Sequence, residues 1–306
     1  MVGRNDTVTQ RVGDTAMATA LRSGMRDPRM EASRHMDGIS PRTRAFHALH
    51  QSGTFVMPNP WDAGSARMLA ALGFPALATT SAGFAWSRGQ RDNAVALDAI
   101  LLHLETVCVA VGIPVNADFE NGFAIDPDAV AINVSRAVST GVSGLSIEDS
   151  TGDERAPLHP FELAVDRIAA ARHAIDASGT GVLLTGRSEG FICGRPDLRE
   201  TLRRLEAYAE AGADCLYAPG VRSADDIAAI VAAVRPKPVN VLVGSDFTTV
   251  NALAVLGVRR ISIGGALARV AWTAAINAAR EIAHSGTFGT LTPSVSGADI
   301  EASFGG

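Results

Sequence analysis

Cysteine is scarce in this chain. Cys108, Cys193 and Cys215 are too few and too scattered for a disulfide framework or a CxxC-type zinc or redox site, so a reducing cytoplasm is the expected setting. No apolar stretch reaches about 18 residues without a charge, and the Arg-dotted N-terminus lacks the apolar core of a signal peptide. A soluble, unexported protein with no membrane partner is therefore expected. Positive charge is not in excess either: 27 Lys and Arg stand against 32 Asp and Glu, a net charge of -5 at pH 7. That balance offers no overall electrostatic footprint for a phosphate backbone, and no nucleic-acid partner is expected. None of the seven histidines clusters at ligand spacing near the chemistry-bearing segments, which leaves His/Cys zinc chemistry without support. Only 19% of the residues are charged while 47% are hydrophobic, which excludes wholesale disorder and allows a large core.

What is present is a repeat. A helix-period stretch ends at glycine and is followed by a short β-rich run at Leu72-Gly73-Phe74, Thr140-Gly141-Val142, Ala211-Gly212-Ala213 and Leu256-Gly257-Val258. Glycine at a helix C-cap before a buried strand is the mark of an αβ loop. Adding the runs at Phe55 to Pro58, Pro114 to Asp118, Val182 to Arg187 and Pro238 to Val243 gives eight strands. Between them lie amphipathic stretches such as Ala96 to Val111, Phe161 to Ala177 and Leu198 to Ala211. Eight βα units in about 230 residues predict a closed (β/α)8 TIM-type barrel over residues 41–286 rather than a doubly wound sheet. Residues 1–40 read as a flexible tail and residues 287–306 as a polar, Gly-rich, partly ordered one.

In a parallel barrel the strand C-termini share one rim, so residues at those ends converge. The rim then holds Asn59 and Asp62, Thr80 to Gly83, Asp118 and Glu120, Glu148 and Asp149, Arg187 and Glu189, Tyr217, Asn240, and Gly264-Gly265. Acids from neighbouring strands at one mouth repel each other unless a cation joins them, which points to a hard divalent ion. Asp118 and Glu148 are the first candidates; the alternative is that these acids cap helices or pair with rim arginines. Arg187 offers a fork for a carboxylate, or else pairs with Glu148 or Glu189. Ser81-Ala82-Gly83 reads as a small-residue turn exposing amides to an anion, or as small for packing. Gly264-Gly265 suits either a phosphate or close packing.

The segments Pro58-Asn59-Pro60-Trp61-Asp62, Thr79-Thr80-Ser81-Ala82-Gly83, Arg91-Asp92-Asn93, Asn116-Ala117-Asp118-Phe119-Glu120, Ile147-Glu148-Asp149 and Pro238-Val239-Asn240-Val241 stand in one order. In that order they resemble the isocitrate lyase and phosphoenolpyruvate mutase superfamily from about Arg44 to Ala283. The resemblance implies a (β/α)8 barrel, assembled as a homotetramer with its last helix exchanged. It also implies Mg²⁺, with Mn²⁺ as an alternative, held through Asp92, Asp118, Glu120 and Glu148, partly via water. A small carboxylate ligand would then meet Ser81, Ala82, Gly83, Asp92 and Arg187, with Trp61 and Asn240 as further contacts.

One departure stands out. Lyases of the superfamily carry a Cys in the loop after strand 4, and mutases a Lys and an Asn. This chain reads Ser150-Thr151-Gly152-Asp153-Glu154-Arg155-Ala156-Pro157-Leu158-His159, with Ala156 in the decisive place. The expectation is a mobile lid whose titratable groups are Glu154 and His159, in a Mg²⁺-dependent lyase cleaving or decarboxylating a small α-oxo or 2-hydroxy carboxylate. Alternatives are phosphorus-carbon chemistry of the phosphoenolpyruvate mutase or phosphonopyruvate type, and an α-oxo acid binding protein without turnover. The stretch Ala266 to Ala283 leaves so little polar face that burial on several sides, in an oligomer, is expected.

Overall fold

A computed structural model describes residues 38–292 and 295–304. The tail expected over residues 1–40 lies outside the described residues up to residue 37. The unit Ser40–Gly306 holds all the elements below. Ser40 caps α1 (Pro41–Gln51) by accepting the Thr43 amide, and Pro41 opens its first turn. There follow β1 (Phe55–Met57), α2 (Ala63–Ala71), β2 (Leu77–Ala78), α3 (Ser81–Ser87), α4 (Leu97–Ala110), β3 (Val115–Asp118), α5 (Pro127–Val138) and β4 (Gly144–Glu148). The second half adds α6 (Phe161–Ser178), β5 (Leu183–Arg187), α7 (Leu198–Glu210), β6 (Cys215–Tyr217), α8 (Ala224–Ala233), β7 (Val239–Leu242), α9 (Val250–Val255), β8 (Arg260–Ser262) and α10 (Ala266–Ser285). A 3-10 turn (Gly289–Leu291) and α11 (Gly297–Ala302) complete it within the stretch read as a tail.

All eight expected strands form, and every ladder is parallel with β8 returning to β1. This is the (β/α)8 barrel. At the seam between β1 and β2 the Ala78 amide reaches Pro58 O at 3.0 Å, and Asn59 Nδ2 reaches Thr79 O at 2.9 Å. The four repeat glycines, Gly73, Gly141, Gly212 and Gly257, all take positive φ, as the helix-to-strand turns require.

Strand residues alternate between two cores. Val115, Ala117, Leu145, Ile147, Leu184, Leu216, Val239, Val241 and Ile261 face outward under the helices. On the inside, Phe55, Met57, Ala76, Ala78 and Leu183 pack around Phe46, which α1 inserts into the N-terminal end of the barrel. Gly144 makes room for this plug: a Cβ there would meet Phe46 Cε1 at 2.6 Å and Asn116 Oδ1 at 2.7 Å. The plug fills the barrel interior from this end and leaves it open at the opposite mouth, where the strand C-termini line a cavity.

Among the described residues no helix is long and apolar enough to cross a membrane. The expected last helix is present as α10, yet only Ala268 on it is buried, while Val270, Trp272 and Ile276 are exposed on the isolated chain.

Candidate active site

The strand C-termini enclose a cavity of about 300 Å³. Of the residues expected at the site, Ser81, Ala82, Asp92, Asp118, Arg187 and Asn240 line it. At its centre Arg187 donates to three carboxylates: Nη1 to Asp118 Oδ1 at 2.6 Å, Nη2 to Glu148 Oε2 at 3.0 Å and Nε to Glu189 Oε1 at 2.9 Å. Both partners foreseen for Arg187 are thus realised, and Asp118 is a third. Each of the three guanidinium nitrogens thus donates to a carboxylate of this buried network.

Each acid is set by its strand end. The Asp118 amide donates to Thr79 Oγ1 at 2.9 Å, and Asp118 Oδ2 accepts the Ser81 amide at 3.0 Å. Ser81 to Gly83 is accordingly a helix start rather than a free turn; Thr80 caps it. Gly83 faces away from the cavity, where a Cβ would meet Thr80 Cγ2 at 2.7 Å and Trp61 Cβ at 3.0 Å. Trp61 therefore props this helix and lines no part of the cavity. Glu120 is buried in left-handed backbone, φ 46°, in a loop whose Phe123 is also left-handed. The fully buried Arg167 ties that loop down by donating to Asn121 O, to Ala124 O at 3.0 Å and to Glu148 O at 3.2 Å. Strain of this kind persists only where the surroundings fix it.

The electrostatics record too many acids for one base. Burial, then Asp118 and Asp92, push Glu120 up to about 8. Burial raises Glu148 well above the carboxylate range, more than Arg187 lowers it. Burial also lifts Glu189 to about 6 against the same guanidinium. Desolvation and the Asp118 charge raise Asp92. Five carboxylates thus share one guanidinium, and their oxygens are the donors a hard divalent cation prefers. With the side chains as they stand, no three His, Cys, Asp or Glu among the described residues converge on one point, because Arg187 lies between Asp118 and Glu148. The donor set fits Mg²⁺ in chemistry and in charge.

The loop after β4 is a small hairpin. Ser150 bridges Leu158, and the Thr151 amide donates to Pro157 O at 2.9 Å. Neither Glu154 nor His159 lines the cavity. Glu154 borders a separate pocket of about 290 Å³ that shares Ile192 with it. His159 is buried at the hairpin's base, its amide donating to Asp149 O at 2.8 Å, and burial followed by Arg167 holds its imidazole near 4. Asp149 locks this base to the site. It accepts from the Glu189 amide at 2.8 Å, Arg204 Nη1 at 3.0 Å and Tyr208 Oη at 2.7 Å.

Two further rim residues fix the backbone around the cavity, and Asn59 also lines it. Asp62 caps α2, and Asn59 Oδ1 accepts the amides of Ile263 and Gly264 at 2.9 Å each, the place a phosphate would take. Sequence reasoning missed the polar cavity floor of Ser146, Ser262 and Arg260, with Thr185 hydrogen-bonded to Arg260, and it missed Arg269 at the edge. The floor's signal was the two-residue alternation inside the strands, as in Ser146-Ile147-Glu148 and Arg260-Ile261-Ser262.

Comparison with known proteins agrees with this geometry. A protein from Burkholderia cenocepacia of known crystal structure is 48% identical, with a TM-score of 0.84 over 87% of this chain and 96% of that one. An uncharacterized protein of Mycobacterium tuberculosis is 33% identical over 78% of this chain and 88% of its own length. The oxaloacetate decarboxylase of Rhodopseudomonas palustris is 30% identical over 63% of this chain and 68% of its own. The phosphoenolpyruvate phosphomutase family profile matches residues 46–283, so the chain belongs to that family and, with it, to the isocitrate lyase and phosphoenolpyruvate mutase superfamily of lyases and mutases.

Proposed function

We propose that this protein is a Mg²⁺-dependent lyase that cleaves or decarboxylates a small α-oxo or 2-hydroxy carboxylate, with Mn²⁺ as the alternative ion. The observation that carries this reading is the set of five carboxylates gathered around Arg187 at the open mouth of the barrel. Asp92, Asp118, Glu120 and Glu148 would hold the ion, directly or through water. Bound there, Mg²⁺ supplies positive charge where negative charge develops on an α-oxo oxygen during bond breaking.

The chain's own residues do the rest. Thr79 and Ser81 orient Asp118, while Arg187 holds Asp118, Glu148 and Glu189 apart at fixed distances. Tyr217 lines the cavity with its phenol pushed up to about 12 by burial, so it keeps its proton at neutral pH and can donate a hydrogen bond. Ala156 offers no proton. Glu154 is the lid acid we assign as donor, since its pocket adjoins the cavity across Ile192 and His159 is held away from both. Decarboxylation of a β-carboxy α-oxo acid is the simplest reaction that needs no lid thiol, and a relative named oxaloacetate decarboxylase supports it. Phosphorus-carbon chemistry is the second reading, favoured by the family profile but lacking the Lys and Asn in the lid.

The test is NMR of the purified full chain with Mg²⁺ and oxaloacetate, isocitrate, methylisocitrate or phosphonopyruvate. Pyruvate forming from oxaloacetate well above the rate with Mg²⁺ alone, and no glyoxylate from isocitrate, is the expected result. Efficient methylisocitrate cleavage unaffected by Glu154→Gln would show the lid assignment wrong, and binding without any product would make this a binding protein. We further propose that the exposed face of α10 is covered in a helix-exchanged homo-oligomer, a tetramer.

A further inference from the structure

A second cavity, of about 740 Å³, lies beside the α1 plug at the N-terminal end of the barrel, and none of its lining residues lines the active-site cavity. Its charge is one-sided. Arg235 and Lys237 line it from the loop between α8 and β7, and Arg259 lines it from the entry to β8. The Arg259 amide donates to Val239 O at 3.2 Å, which sets Arg259 beside the β7 entry that follows Lys237. Arg235 is exposed and alone would be an ordinary solvated side chain, but Lys237 and Arg259 are half-buried. Among the described residues none of the three has a carboxylate within ion-pair distance, and Arg259 donates through Nη1 to a neutral group, Gly53 O. Asp214, the one carboxylate lining the cavity, is already taken: Oδ2 accepts Arg172 Nη1 at 3.0 Å and the Leu184 amide at 2.8 Å. Behind the cavity stands a further buried cation. His50 lines the cavity, its Nδ1 donating to Phe46 O at 2.7 Å and its Nε2 facing Arg260 Nη1 at 3.5 Å. Burial and Arg260 keep this imidazole neutral, so it offers the guanidinium no counter-charge. The other partners of Arg260, Asn240 Oδ1 and Thr185 Oγ1, are neutral as well. A buried guanidinium without a counter-charge is costly, and cations gathered around a concave wall focus their field on it.

We infer that this cavity is a binding site for a phosphorylated small molecule, with the phosphoryl group held by Arg235, Lys237 and Arg259. The site is separate from the acid cluster and does not depend on the lyase reading. Two guanidinium forks and an ammonium present donors from several directions, which suits a tetrahedral, doubly charged phosphoryl group better than a planar, singly charged carboxylate. Leu183, Val231, Pro236 and Pro238 give the same cavity an apolar wall for the organic part of the molecule. Its volume is that of a site for one small ligand, and an apolar lining with a few convergent polar groups is the usual make-up of such sites.

The test is calorimetry of the full chain with inorganic pyrophosphate, in buffer free of Mg²⁺ and phosphate, and with citrate as the carboxylate of comparable charge. Wild type should bind pyrophosphate more tightly than citrate. Arg235→Gln combined with Lys237→Gln should weaken pyrophosphate by about tenfold or more, the usual scale for hydrogen bonds to a charged group, with an unchanged circular dichroism spectrum. Arg235→Gln alone, at an exposed residue, should weaken it by a smaller factor and keeps the test open if the double variant fails to fold. Arg269→Gln, at the opposite mouth, should leave the affinity as it is. No pyrophosphate binding by wild type overturns the inference, as does affinity that both Arg235 variants retain or that Arg269→Gln abolishes, since the anion would then sit elsewhere. Citrate binding as tightly as pyrophosphate overturns the phosphoryl assignment.

Discussion

Replacing Arg187 with Met would remove the guanidinium that, among the described residues, Asp118, Glu148 and Glu189 share, at side-chain exposures of 12% for the arginine and 20%, 10% and 3% for the acids. Stripping one partner from a buried ion-pair network typically costs about 3 to 5 kcal/mol, a large part of the roughly 5 to 15 kcal/mol that holds a domain together. The loss should depend on pH in a definite direction. Glu148 and Glu189 already bind protons more tightly than free carboxyls, Glu189 at about 6, and Arg187 is what restrains them. Without it their values rise further. A carboxyl raised on folding contributes stability that is present below its unfolded value and lost as pH rises through its folded value. The deficit should therefore be small at pH 5 and largest above pH 8. Mg²⁺ at a hundred times the variant's Kd should raise the variant's own stability by about 2.7 kcal/mol. Urea unfolding followed by far-UV circular dichroism at pH 5, 7 and 8.5, with and without Mg²⁺, reads all three effects. A deficit under about 1 kcal/mol at pH 8.5, or an equal one at pH 5, would refute the reasoning.

His103 gives a second pH dependence of opposite sign. Burial holds it near 4 while it stacks on Phe84 at 3.8 Å, so stability present above pH 6.5 should be lost as pH falls toward 4, by roughly 3 kcal/mol. His103→Phe should flatten that part of the pH profile of the urea midpoint. Gly144→Val should cost about 1 to 3 kcal/mol by overpacking against Phe46, and Phe46→Ala in the same chain should cost less than the separate losses combined, as denaturation of the four proteins would report. Light scattering at micromolar concentration should find an oligomer, which Trp272→Glu on the exposed face of α10 should dissociate.

The barrel was legible because its repeat is written in local chemistry. Glycines that had to take positive φ stood before runs that had to be buried, and both signals survive without tertiary context. The rim was legible for the same reason: Asp118, Glu148 and Arg187 end their strands, and a parallel barrel brings strand ends together. What the sequence concealed was pairing. Nothing local tells that Arg187 takes three acids, that Asp149 is spent on Arg204 and Tyr208, or that Asn59 fills the place of a phosphate at Gly264. Trp61 and Gly83 sit beside the expected ligand residues in sequence but pack behind them, because a helix start turns successive residues away from one another. The helix α1 carries no βα signal, and its role as a plug appears only when Phe46 meets the space left by Gly144.

The central claim is that the acid cluster binds an α-oxo acid through a divalent ion. Calorimetry of oxalate binding to wild type and Asp118→Ala, each with and without Mg²⁺, tests it most directly. Arg187 keeps Glu148 and Glu189 in the variant, so the fold should stand. Wild type should bind oxalate only when Mg²⁺ is present, and Asp118→Ala should lose that binding while keeping its circular dichroism spectrum. Equal oxalate affinity in both proteins, with and without Mg²⁺, would contradict the account.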